Sequence, residues 1–360
     1  MREKETMGVF PLLMAQEHES VAFFSDGAAN LKAIIAIHST RLGPALGGVR
    51  MRPYETEEAA LLDALRLSRG MTYKAAVTGL NLGGGKAVII GNPTRDKSET
   101  LFRSFGRAVE SLGGRYITAE DVGTEVQDMA QIRLETSRVV GTSEEAGGSG
   151  DPSSVTALGV LAGIKTCVDV VFGSPDLKGC RVAIQGVGKV GYRLAALLHH
   201  QGAELFLCDA VAERAAAAAH AFHGYEVKEQ DFFALPVEVL SPCALGGVLN
   251  DETIPRIRAR IIAGAANNQL QDELRHSQAL SSRGILYAPD FVINAGGLIN
   301  VYSEIEKTPK ALVLLRTEAI GETLRRVLTM AQAKRLFTYE TAHRLAEERL
   351  AAMGAREAAR

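Results

Sequence analysis

The chain has 360 residues, of which 46% are hydrophobic and 23% are charged. That length exceeds what one ordinary hydrophobic core organises, so we expect a globular protein of two domains. The formal net charge is −2, and Lys and Arg form no run. The sequence therefore offers no basic field for nucleic acid or for a membrane surface, and neither partner is predicted.

The N-terminal residues lack the pattern of a signal peptide, because their short apolar run passes at once into acidic and polar residues. By inspection, no segment approaches the roughly 20 apolar residues that a membrane helix needs. We therefore predict a cytoplasmic protein without a membrane span.

The first part of the chain alternates between strand and helix patterns, which predicts an α/β domain. Thr56 is the predicted N-cap of the first long helix. In chain order, the patterns predict strands at 31–38 and 48–53, a helix at 57–76, a strand entered from the glycines at 83–85, a helix at 98–112, a strand running into a loop at 115–123 and a helix at 126–137.

The composition changes at residues 141–154, which are rich in Gly, Ser and Glu. Such a stretch is typical of a linker or hinge. A helix at 155–172 opens a second α/β series that continues to about residue 306, and amphipathic helices follow at 310–360, with Thr338 as a predicted cap. The sequence therefore predicts an α/β protein of two domains with a helical C-terminus.

The strongest indication of a cofactor lies at residues 181–201. A strand runs into Gly186, Gly188 and Gly191, and a helix follows. In this pattern the first glycine allows a tight turn, the second lets the backbone approach a pyrophosphate, and the third lets helix and strand pack closely. The N-terminus of the helix offers free N–H groups and a positive dipole end to the phosphates. The residues predict a dinucleotide site, and the alternative is a glycine-rich turn of another α/β domain.

A second strand at 204–208 ends at Asp209, 18 residues after Gly191. A carboxylate at this position accepts hydrogen bonds from the ribose hydroxyls and repels a 2′-phosphate, which favours NAD over NADP. Lys189 and Val190 fill the variable positions of the glycine motif and are also cofactor-binding candidates.

Lys74 and Lys86 lie twelve residues apart, the first near the end of a helix and the second after three glycines. A Walker-type phosphate loop does not explain Lys86, because Leu80 and Ala87 stand where that motif needs Gly and Ser or Thr. If both lysines face one apolar cleft, repulsion and desolvation favour the neutral amine and lower a pKa. One lysine can then act as a general acid or base while the other holds a substrate carboxylate. The alternative is two ordinary solvated lysines.

Asp121 follows a predicted strand, at the strand end where sites of α/β proteins gather. A helix or turn cap is the alternative role for Asp121, and Glu120 beside it is a rival candidate. The glycine-rich segment 43–48 is either a surface against a small apolar substrate or a tight loop.

Two later segments place asparagines beside glycines at predicted strand ends. A carboxamide both donates and accepts hydrogen bonds, as a partner for a carboxamide or carboxylate must, but turn chemistry explains such asparagines equally well. The residues are Asn267, Asn268, Asn294 and Asn300. The histidines lack the third ligand that a metal site needs, so no metal site is predicted.

Together these segments resemble the glutamate/leucine/phenylalanine/valine dehydrogenase family, most closely its leucine dehydrogenases. The similarity extends over nearly the whole chain. It rests on motifs that occur in family order, namely GPALGG (43–48), GMTYKAA (70–76), GLNLGGGKAVIIG (79–91), RYITAEDVG (115–123), GVGKVG (186–191), SPCALGG (241–247), AGAANNQL (263–270) and VINAGGLINV (292–301).

The resemblance implies roles for individual residues. The family's lysine for the substrate carboxylate falls on Lys74, and its catalytic lysine, which assists attack of water on the imine, falls on Lys86. Its catalytic aspartate, which handles the amine proton, falls on Asp121, and the asparagine near substrate and nicotinamide falls on Asn268. The implied substrate pocket consists of Leu46, Gly47, Ala119, Leu298 and Val301, and further cofactor contacts fall on Asp151 and Thr156.

The resemblance also implies an architecture. A catalytic, substrate-binding and oligomerisation domain is expected at residues 1–141, a Rossmann NAD-binding domain at 142–325, and C-terminal helices that pack on the first domain at 326–360. In the family, a cleft between the two domains closes on substrate. Members are homo-oligomers, often octamers.

The implied activity is the reversible NAD-dependent oxidative deamination of a branched-chain L-amino acid, leucine and also valine and isoleucine, to the 2-oxo acid and ammonia. An acidic substrate is disfavoured, because its side-chain carboxylate needs a cationic partner and the pocket candidates are apolar.

Two departures from the leucine dehydrogenase pattern bear on the substrate. Asp151 stands where these enzymes commonly have Asn, and Leu298 replaces a commoner Val. A phenylalanine or other aromatic amino-acid dehydrogenase is therefore one alternative. The others are a non-catalytic NAD-binding sensor on the same fold and an unrelated dehydrogenase, such as one for hydroxy acids.

Overall fold

A computed structural model describes residues 8–358, which form two compact units. The first unit contains the chain up to Asp151, the short segment Glu304–Glu306 and the segment that begins at Glu347. The second unit contains Pro152–Ser303 and Lys307–Ala346.

The unit boundaries differ in detail from the predicted domains. The first unit runs on to Asp151 instead of ending at residue 141, and residues 326–346 group with the second unit. The glycine-rich linker stays with the first unit because the backbone N–H groups of Gly141 and Ser149 both donate to the Glu304 carboxylate, at 2.9 and 3.0 Å.

The first unit is built on a five-stranded sheet with helices on both faces. Its elements are α1 (Val9–Ala15), β1 (Ser20–Asp26), β2 (Leu31–Ser39), β3 (Ala45–Arg52), α2 (Glu57–Val77), β4 (Gly83–Ile90), α3 (Glu99–Ser111), β5 (Tyr116–Glu120) and α4 (Val126–Arg133).

The sheet of the first unit has the strand order β1-β2-β4-β3-β5. Strands β1, β2 and β4 are antiparallel neighbours, whereas β3 runs parallel to both β4 and β5. Alternate residues of β2 reach opposite faces, as a pleated strand requires. Ile34 joins a cluster with Leu65 of α2, and Ile35 joins a second cluster with Phe102 and Phe105 of α3.

Local chemistry fixes where the two long helices begin. Thr56 accepts a hydrogen bond from the backbone N–H of Ala59 at 3.0 Å, which confirms the predicted N-cap of α2. Ser98 caps α3 in the same way, accepting from the N–H of Leu101 at 3.1 Å.

Four elements of the first unit differ from the sequence prediction. Strand β3 begins at Ala45 because this residue pairs with Gly83 on one side and Tyr116 on the other, so the segment 43–48 is largely strand and not a tight loop. Helix α4 already ends at Arg133. Elements α1 and β1 were not predicted, since β1 is half-exposed and shows no clean apolar alternation.

The second unit is a doubly wound α/β unit. Its elements are α5 (Ser153–Phe172), β6 (Arg181–Gln185), α6 (Lys189–His200), β7 (Glu204–Cys208), α7 (Ala212–Ala221), β8 (Tyr225–Glu226), β9 (Val239–Pro242), β10 (Ile261–Ile262), α8 (Glu273–Ser282), β11 (Leu286–Tyr287), α9 (Asp290–Ile293), most of α10 (Gly296–Glu306), α11 (Lys310–Glu318), α12 (Ile320–Lys334) and the start of α13 (Thr338–Ala358).

All six strands of this unit are parallel and have the order β11-β10-β9-β6-β7-β8. Counted from β6 as the first, this is the order 3-2-1-4-5-6 of the dinucleotide-binding doubly wound sheet. The loop from β6 to α6 therefore lies where the strand order reverses, which is the position of ligand sites in such sheets. The predicted α/β class with a Rossmann unit is confirmed.

Helix α5 corrects one expectation from the sequence. It has 20 residues and is apolar enough, by length and composition alone, to cross a membrane. Of its most apolar stretch, 56% is buried, and the helix packs on α6, α11 and α12. The apolar composition of α5 is thus that of a core helix, on which the rest of the unit packs.

Thr338 does not act as the predicted cap. It is the first residue of α13, and its hydroxyl donates to the carbonyl oxygen of Tyr287 at 2.7 Å. The hydroxyl therefore ties the start of α13 to β11 instead of satisfying an N–H group of its own helix.

Candidate active site

Lys86 and Asp121, which the sequence could not connect, lie side by side in the first unit. Lys86 is on the central strand β4 with 4% of its side chain exposed, and Asp121 directly follows β5. Nζ of Lys86 donates to Oδ2 of Asp121. The carboxylate that pairs with the buried lysine thus belongs to Asp121. The family resemblance also pointed to Asp121 and not to its neighbour Glu120.

Glycines on β3 allow this approach, because β3 lies between β4 and β5. A Cβ atom on Gly47 would lie 1.6 Å from the carbonyl oxygen of Gly85, the residue before Lys86. A Cβ atom on Gly48 would lie 2.9 Å from Cβ of Asp121. Side chains at either position would push the neighbouring strands away, so the predicted substrate residue Gly47 also has a structural reason to be glycine.

The ion pair has a pronounced effect on both titrating groups. Burial raises the pKa of Asp121, but attraction to Lys86 and then to Arg50 outweighs it and lowers that pKa to about 2. Burial lowers the pKa of Lys86, and attraction to Asp121 opposes this only in part. Asp121 is therefore an anion at any neutral or alkaline pH, and Lys86 gives up its proton more readily than an ordinary lysine.

The sequence reasoning missed Arg50 and Asp63, which extend this pair into a network. Nε of Arg50 donates to Oδ1 of Asp121 at 2.9 Å, and Nη1 donates to Oδ2 of Asp63 at 3.0 Å. A signal was available, because an arginine in the middle of an apolar strand is rarely buried without a partner. Arg50 lies within the predicted strand at 48–53 and carries this signal.

Lys74 lies in the last turn of α2 and is half-buried. Arg349 of α13 fixes this end of α2, since its Nη1 donates to the carbonyl oxygens of Ala76 and Leu80 at 3.1 and 2.7 Å. A cation at the C-terminus of a helix also opposes the negative end of the helix dipole. The C-terminal part of α13 thus supports the segment that carries Lys74.

The remaining substrate candidates of the first unit are Leu46 and Ala119. Both are buried, at 2% and 7% exposure. Leu46 lies on β3 opposite Gly84 of β4, and Ala119 on β5 lies opposite Gly48. Both lie on the strands that carry or flank the Lys86–Asp121 pair.

In the second unit, the loop from β6 to α6 fits a dinucleotide. Gly186 has a φ of +91°, which allows the tight turn, and a Cβ atom on Gly191 would lie 1.9 Å from the carbonyl oxygen of Gly186. A Cβ atom on Gly188 would meet no described atom within 4 Å, so the space over this residue is open. Gly188 is the N-cap of α6 and supplies no capping side chain, which leaves the first N–H groups of the helix for an anion. Lys189 and Val190, exposed and half-buried, begin the helix.

Asp209 borders the same loop. Its Oδ2 accepts from the N–H of Val187 at 2.8 Å, and its Oδ1 accepts from the N–H of Val211 at 2.9 Å. The carboxylate is half-buried at the end of β7. Its hydrogen bonds to the backbone fix its position and leave further lone pairs on each oxygen for a ligand hydroxyl.

A cavity of about 640 Å³ lies beside Gln185 in the second unit. It is lined by Gln185, the residue before Gly186, and by polar side chains that include Lys228, Asn250 and Arg256. Oε1 of Gln185 is buried and has no hydrogen-bond partner among the described residues.

The two asparagine segments meet in the second unit. Nδ2 of Asn294 donates to Oδ1 of Asn267 at 2.8 Å and to the carbonyl oxygen of Ala265 at 3.0 Å. Asn268 follows with a φ of +53°, a left-handed backbone that Asn tolerates better than most residues. The half-buried Asn268 is therefore held on a constrained turn.

The other candidates lie on α5, on α10 or at the end of the linker. Leu298 and Val301 are buried on α10, at 6% and 8% exposure. A Cβ atom on Gly297 would lie 2.9 Å from Oγ1 of Thr156, so Thr156 of α5 lies against the start of α10. Asp151 is the exposed last residue of the linker in the first unit. Among the described residues, no group of three or more His, Cys, Asp or Glu is placed to hold a metal ion.

Comparison with known proteins gives matches along almost the whole chain. The family model "Glu/Leu/Phe/Val dehydrogenase, dimerisation domain" matches residues 18–138, and the model "Glutamate/Leucine/Phenylalanine/Valine dehydrogenase" matches residues 147–212 and 206–358. Leucine dehydrogenase of Bacillus cereus is 49% identical over 348 residues, which is 97% of this chain and 95% of the relative.

Two aromatic amino-acid dehydrogenases are similar to nearly the same extent. Phenylalanine dehydrogenase of Caldalkalibacillus thermarum is 47% identical over 339 residues, covering 93% of this chain and 91% of the relative. The crystal structure of L-tryptophan dehydrogenase from Nostoc punctiforme superimposes with a TM-score of 0.84 at 45% identity, covering 97% of this chain and 100% of that chain.

Proposed function

Because this chain belongs to the glutamate/leucine/phenylalanine/valine dehydrogenase family and is an amino-acid dehydrogenase that uses a nicotinamide cofactor, we propose that it catalyses the reversible NAD-dependent oxidative deamination of leucine, and also of valine and isoleucine. The products are the 2-oxo acid and ammonia. The observation that carries the proposal is the buried ion pair of Lys86 and Asp121 on glycine-rich strands.

The first unit supplies the groups for the chemistry. Lys74 holds the α-carboxylate of the substrate, and the anionic Asp121 receives a proton from its ammonium group. The nicotinamide ring, when bound, accepts a hydride from the substrate Cα. In its neutral form, Lys86 takes a proton from the water that attacks the resulting iminium carbon. Asp121 then returns its proton to the nitrogen, which leaves as ammonia while the carbonyl forms and the hydroxyl proton passes back to Asp121. The lowered pKa of Lys86 suits this role, since a general base works best when its pKa is near the operating pH.

The second unit supplies the cofactor site. The glycine loop and the first N–H groups of α6 hold the pyrophosphate, with Lys189 and Val190 in the first turn, and the cavity beside Gln185 gives space for a further part of the cofactor. Thr156, Asp151 and Asn268 are the candidates for contacts toward the nicotinamide end. Asp209 selects NAD by accepting from ribose hydroxyls and repelling a 2′-phosphate.

Asp209→Asn should lower the preference for NAD over NADP, expressed as the ratio of kcat/KM values, by about 10-fold, because it removes roughly 1.4 kcal/mol of repulsion. Each Asp209 oxygen accepts from a different backbone N–H, and the single amide oxygen of Asn keeps one of these two hydrogen bonds, so the loop should stay anchored on one side. Asp176→Asn, at an exposed carboxylate of the same unit, is the matched control and should leave the ratio unchanged. An unaltered ratio in Asp209→Asn would remove Asp209 from the cofactor site.

The apolar candidates Leu46, Ala119, Leu298 and Val301 favour a substrate with an uncharged side chain. One methylene in such a pocket is worth only about 1–3 kcal/mol, so leucine, valine and isoleucine should overlap as substrates. Known relatives with 47% and 45% identity act on phenylalanine and tryptophan, which makes an aromatic substrate the alternative to test.

The deciding experiment is NADH formation at alkaline pH with leucine, valine, isoleucine, phenylalanine, tryptophan and glutamate in parallel. We expect the branched-chain substrates to give the highest kcat/KM. A preference for an aromatic substrate would keep the mechanism and reassign the pocket. No turnover of any of the six, with NAD still bound, would contradict the proposed activity.

Assembly and location follow from the same family membership. We expect a homo-oligomer, with an octamer as the form that the family resemblance implies, and light scattering of the purified protein tests both. The description of the N-terminal family model as a dimerisation domain supports self-association through the first unit. We expect the protein in the cytoplasm, where its small-molecule substrates and ammonia are available.

A further inference from the structure

The guanidinium group of Arg50 joins two carboxylates in the first unit. Its Nε donates to Asp121 at 2.9 Å, its Nη1 donates to Asp63 at 3.0 Å, and the hydroxyl of Tyr54 donates to the same Asp63 oxygen at 2.7 Å. The side chains of Arg50, Asp63 and Asp121 are only 18%, 22% and 21% exposed. These contacts are therefore shielded from most of the solvent and from salt.

Arg50 fixes the rotation of the Asp121 carboxylate. Oδ1 of Asp121 accepts from Arg50 and also from the backbone N–H of Val122 at 2.7 Å. With Oδ1 held by these two donors, Oδ2 is the oxygen that contacts Lys86. The rigid fork of a guanidinium suits this task, because it binds Asp121 and Asp63 at once and so cannot rotate freely.

We propose that Arg50 is a positioning residue for the deamination reaction: anchored by Asp63, it orients Asp121 toward Lys86 and supplies the positive charge that remains when Lys86 gives up its proton. This inference rests on the proposed function, in which Lys86 acts as a base and Asp121 accepts a proton.

The chemistry of the cycle explains why a second cation is needed. When Lys86 becomes neutral, the buried Asp121 loses the positive charge that compensates it, and an uncompensated buried carboxylate is costly. An arginine never loses its proton in a protein, so Arg50 keeps its charge through every step. Asp121 thus keeps a positively charged hydrogen-bond partner after Lys86 becomes neutral, although Arg50 shares its charge with Asp63.

Arg50 and Asp63 act in opposite directions on the base. Burial is the main cause that lowers the pKa of Lys86, and the charge of Arg50 lowers it further, whereas the charges of Asp121 and Asp63 raise it. The neighbouring Tyr54 and Tyr116 have raised pKa values, mainly through burial, and stay neutral. The charges that act on Lys86 thus include Arg50 from β3, Asp63 from α2 and Asp121 after β5. Lys74, in the last turn of α2, belongs to the same proposed site and is unchanged in each variant tested below.

The test is the pH profile of kcat/KM for leucine in Arg50→Met, Arg50→Lys and Asp63→Asn, compared with the unaltered enzyme. Arg50→Met should lower kcat by about 100-fold through misplacement of Asp121. It should also move the acidic limb of the profile, where Lys86 loses its proton, to higher pH by about one unit, because the charge of Arg50 no longer lowers the pKa of Lys86. Arg50→Lys keeps the charge and should restore the position of the limb while recovering kcat only in part. Asp63→Asn keeps an acceptor for Arg50 but removes a negative charge, so its acidic limb should move to lower pH.

Arg95→Met is the matched control, because Arg95 pairs with Asp96 at the surface of the same unit and is 77% exposed. Its profile should coincide with that of the unaltered enzyme. Acidic limbs that move in the same direction in Arg50→Met and Asp63→Asn, or that do not move, would overturn the proposal. If Arg50→Met does not fold, as judged by circular dichroism, the other two variants decide: the acidic limb should stay in place in Arg50→Lys and move to lower pH in Asp63→Asn, and any other result contradicts the proposal. An unaltered enzyme that turns over no amino acid would instead overturn the proposed function, and this inference with it.

Discussion

Lys86→Ala should lower kcat for amino-acid oxidation by about 10³-fold, the effect expected when a general base is lost. The Lys86 side chain is 4% exposed and pairs with Asp121, so its amine is held next to the carboxylate with which it works. Asp121 keeps its bond to Arg50 in the variant, which should hold the carboxylate and the local fold. Cofactor affinity, measured by titration calorimetry with NADH, should stay within about twofold, since the glycine loop lies in the other unit.

Lys97→Ala is the control for Lys86→Ala. Lys97 also pairs with an aspartate of the first unit, Asp128, at 2.6 Å, but it belongs to none of the sites described above. Its loss should leave kcat unchanged and cost at most about 1 kcal/mol of stability. Turnover of Lys86→Ala close to that of the unaltered enzyme would rule out the catalytic role of Lys86. A joint loss of turnover and NADH binding would mean that the substitution disturbs the whole protein.

The sequence predicts the segment around the glycine motif of the second unit more closely than the edge of the first unit. Strands β6 and β7 occupy the predicted residues, 181–185 and 204–208, because the glycine motif and the buried apolar runs that define them are local in the chain. Strand β1 was missed because it lies at the edge of the sheet and its side chains are half-exposed, with Phe23 58% exposed. An edge strand with one partner leaves little apolar periodicity in the sequence.

The composition of the site was predictable, but its connections were not. Lys86 on β4 and Asp121 after β5 are 35 residues apart in sequence. The strand order β4-β3-β5 brings them together in the sheet. That strand order is a property of the whole unit, so no local pattern around either residue reveals it. Arg50 differs in part, because an arginine within a predicted strand implies a partner, but only the fold shows that its partners are Asp63 and Asp121.

The glycines of β3 and β4 allow the close strand packing that places Lys86 next to Asp121. Gly47→Ala tests this dependence, and its expected effect is large. The new Cβ atom would lie 1.6 Å from the carbonyl oxygen of Gly85, a backbone atom that can move only if β3 and β4 separate. We expect a loss of about 3 kcal/mol or more in the free energy of unfolding. Displacing Lys86 by about 1 Å should also lower kcat by about 100-fold.

Gly70→Ala separates this effect from any general effect of replacing glycine. Gly70 is an exposed position inside α2, and a Cβ atom there would meet no described atom within 4 Å. The substitution should raise the free energy of unfolding by about 0.5–1 kcal/mol, because Ala favours the helix, and should leave kcat unchanged. Urea unfolding followed by circular dichroism, together with kcat for leucine, distinguishes the two variants. If Gly47→Ala were as stable and as active as Gly70→Ala, close packing of β3 on β4 could not be what holds Lys86 next to Asp121.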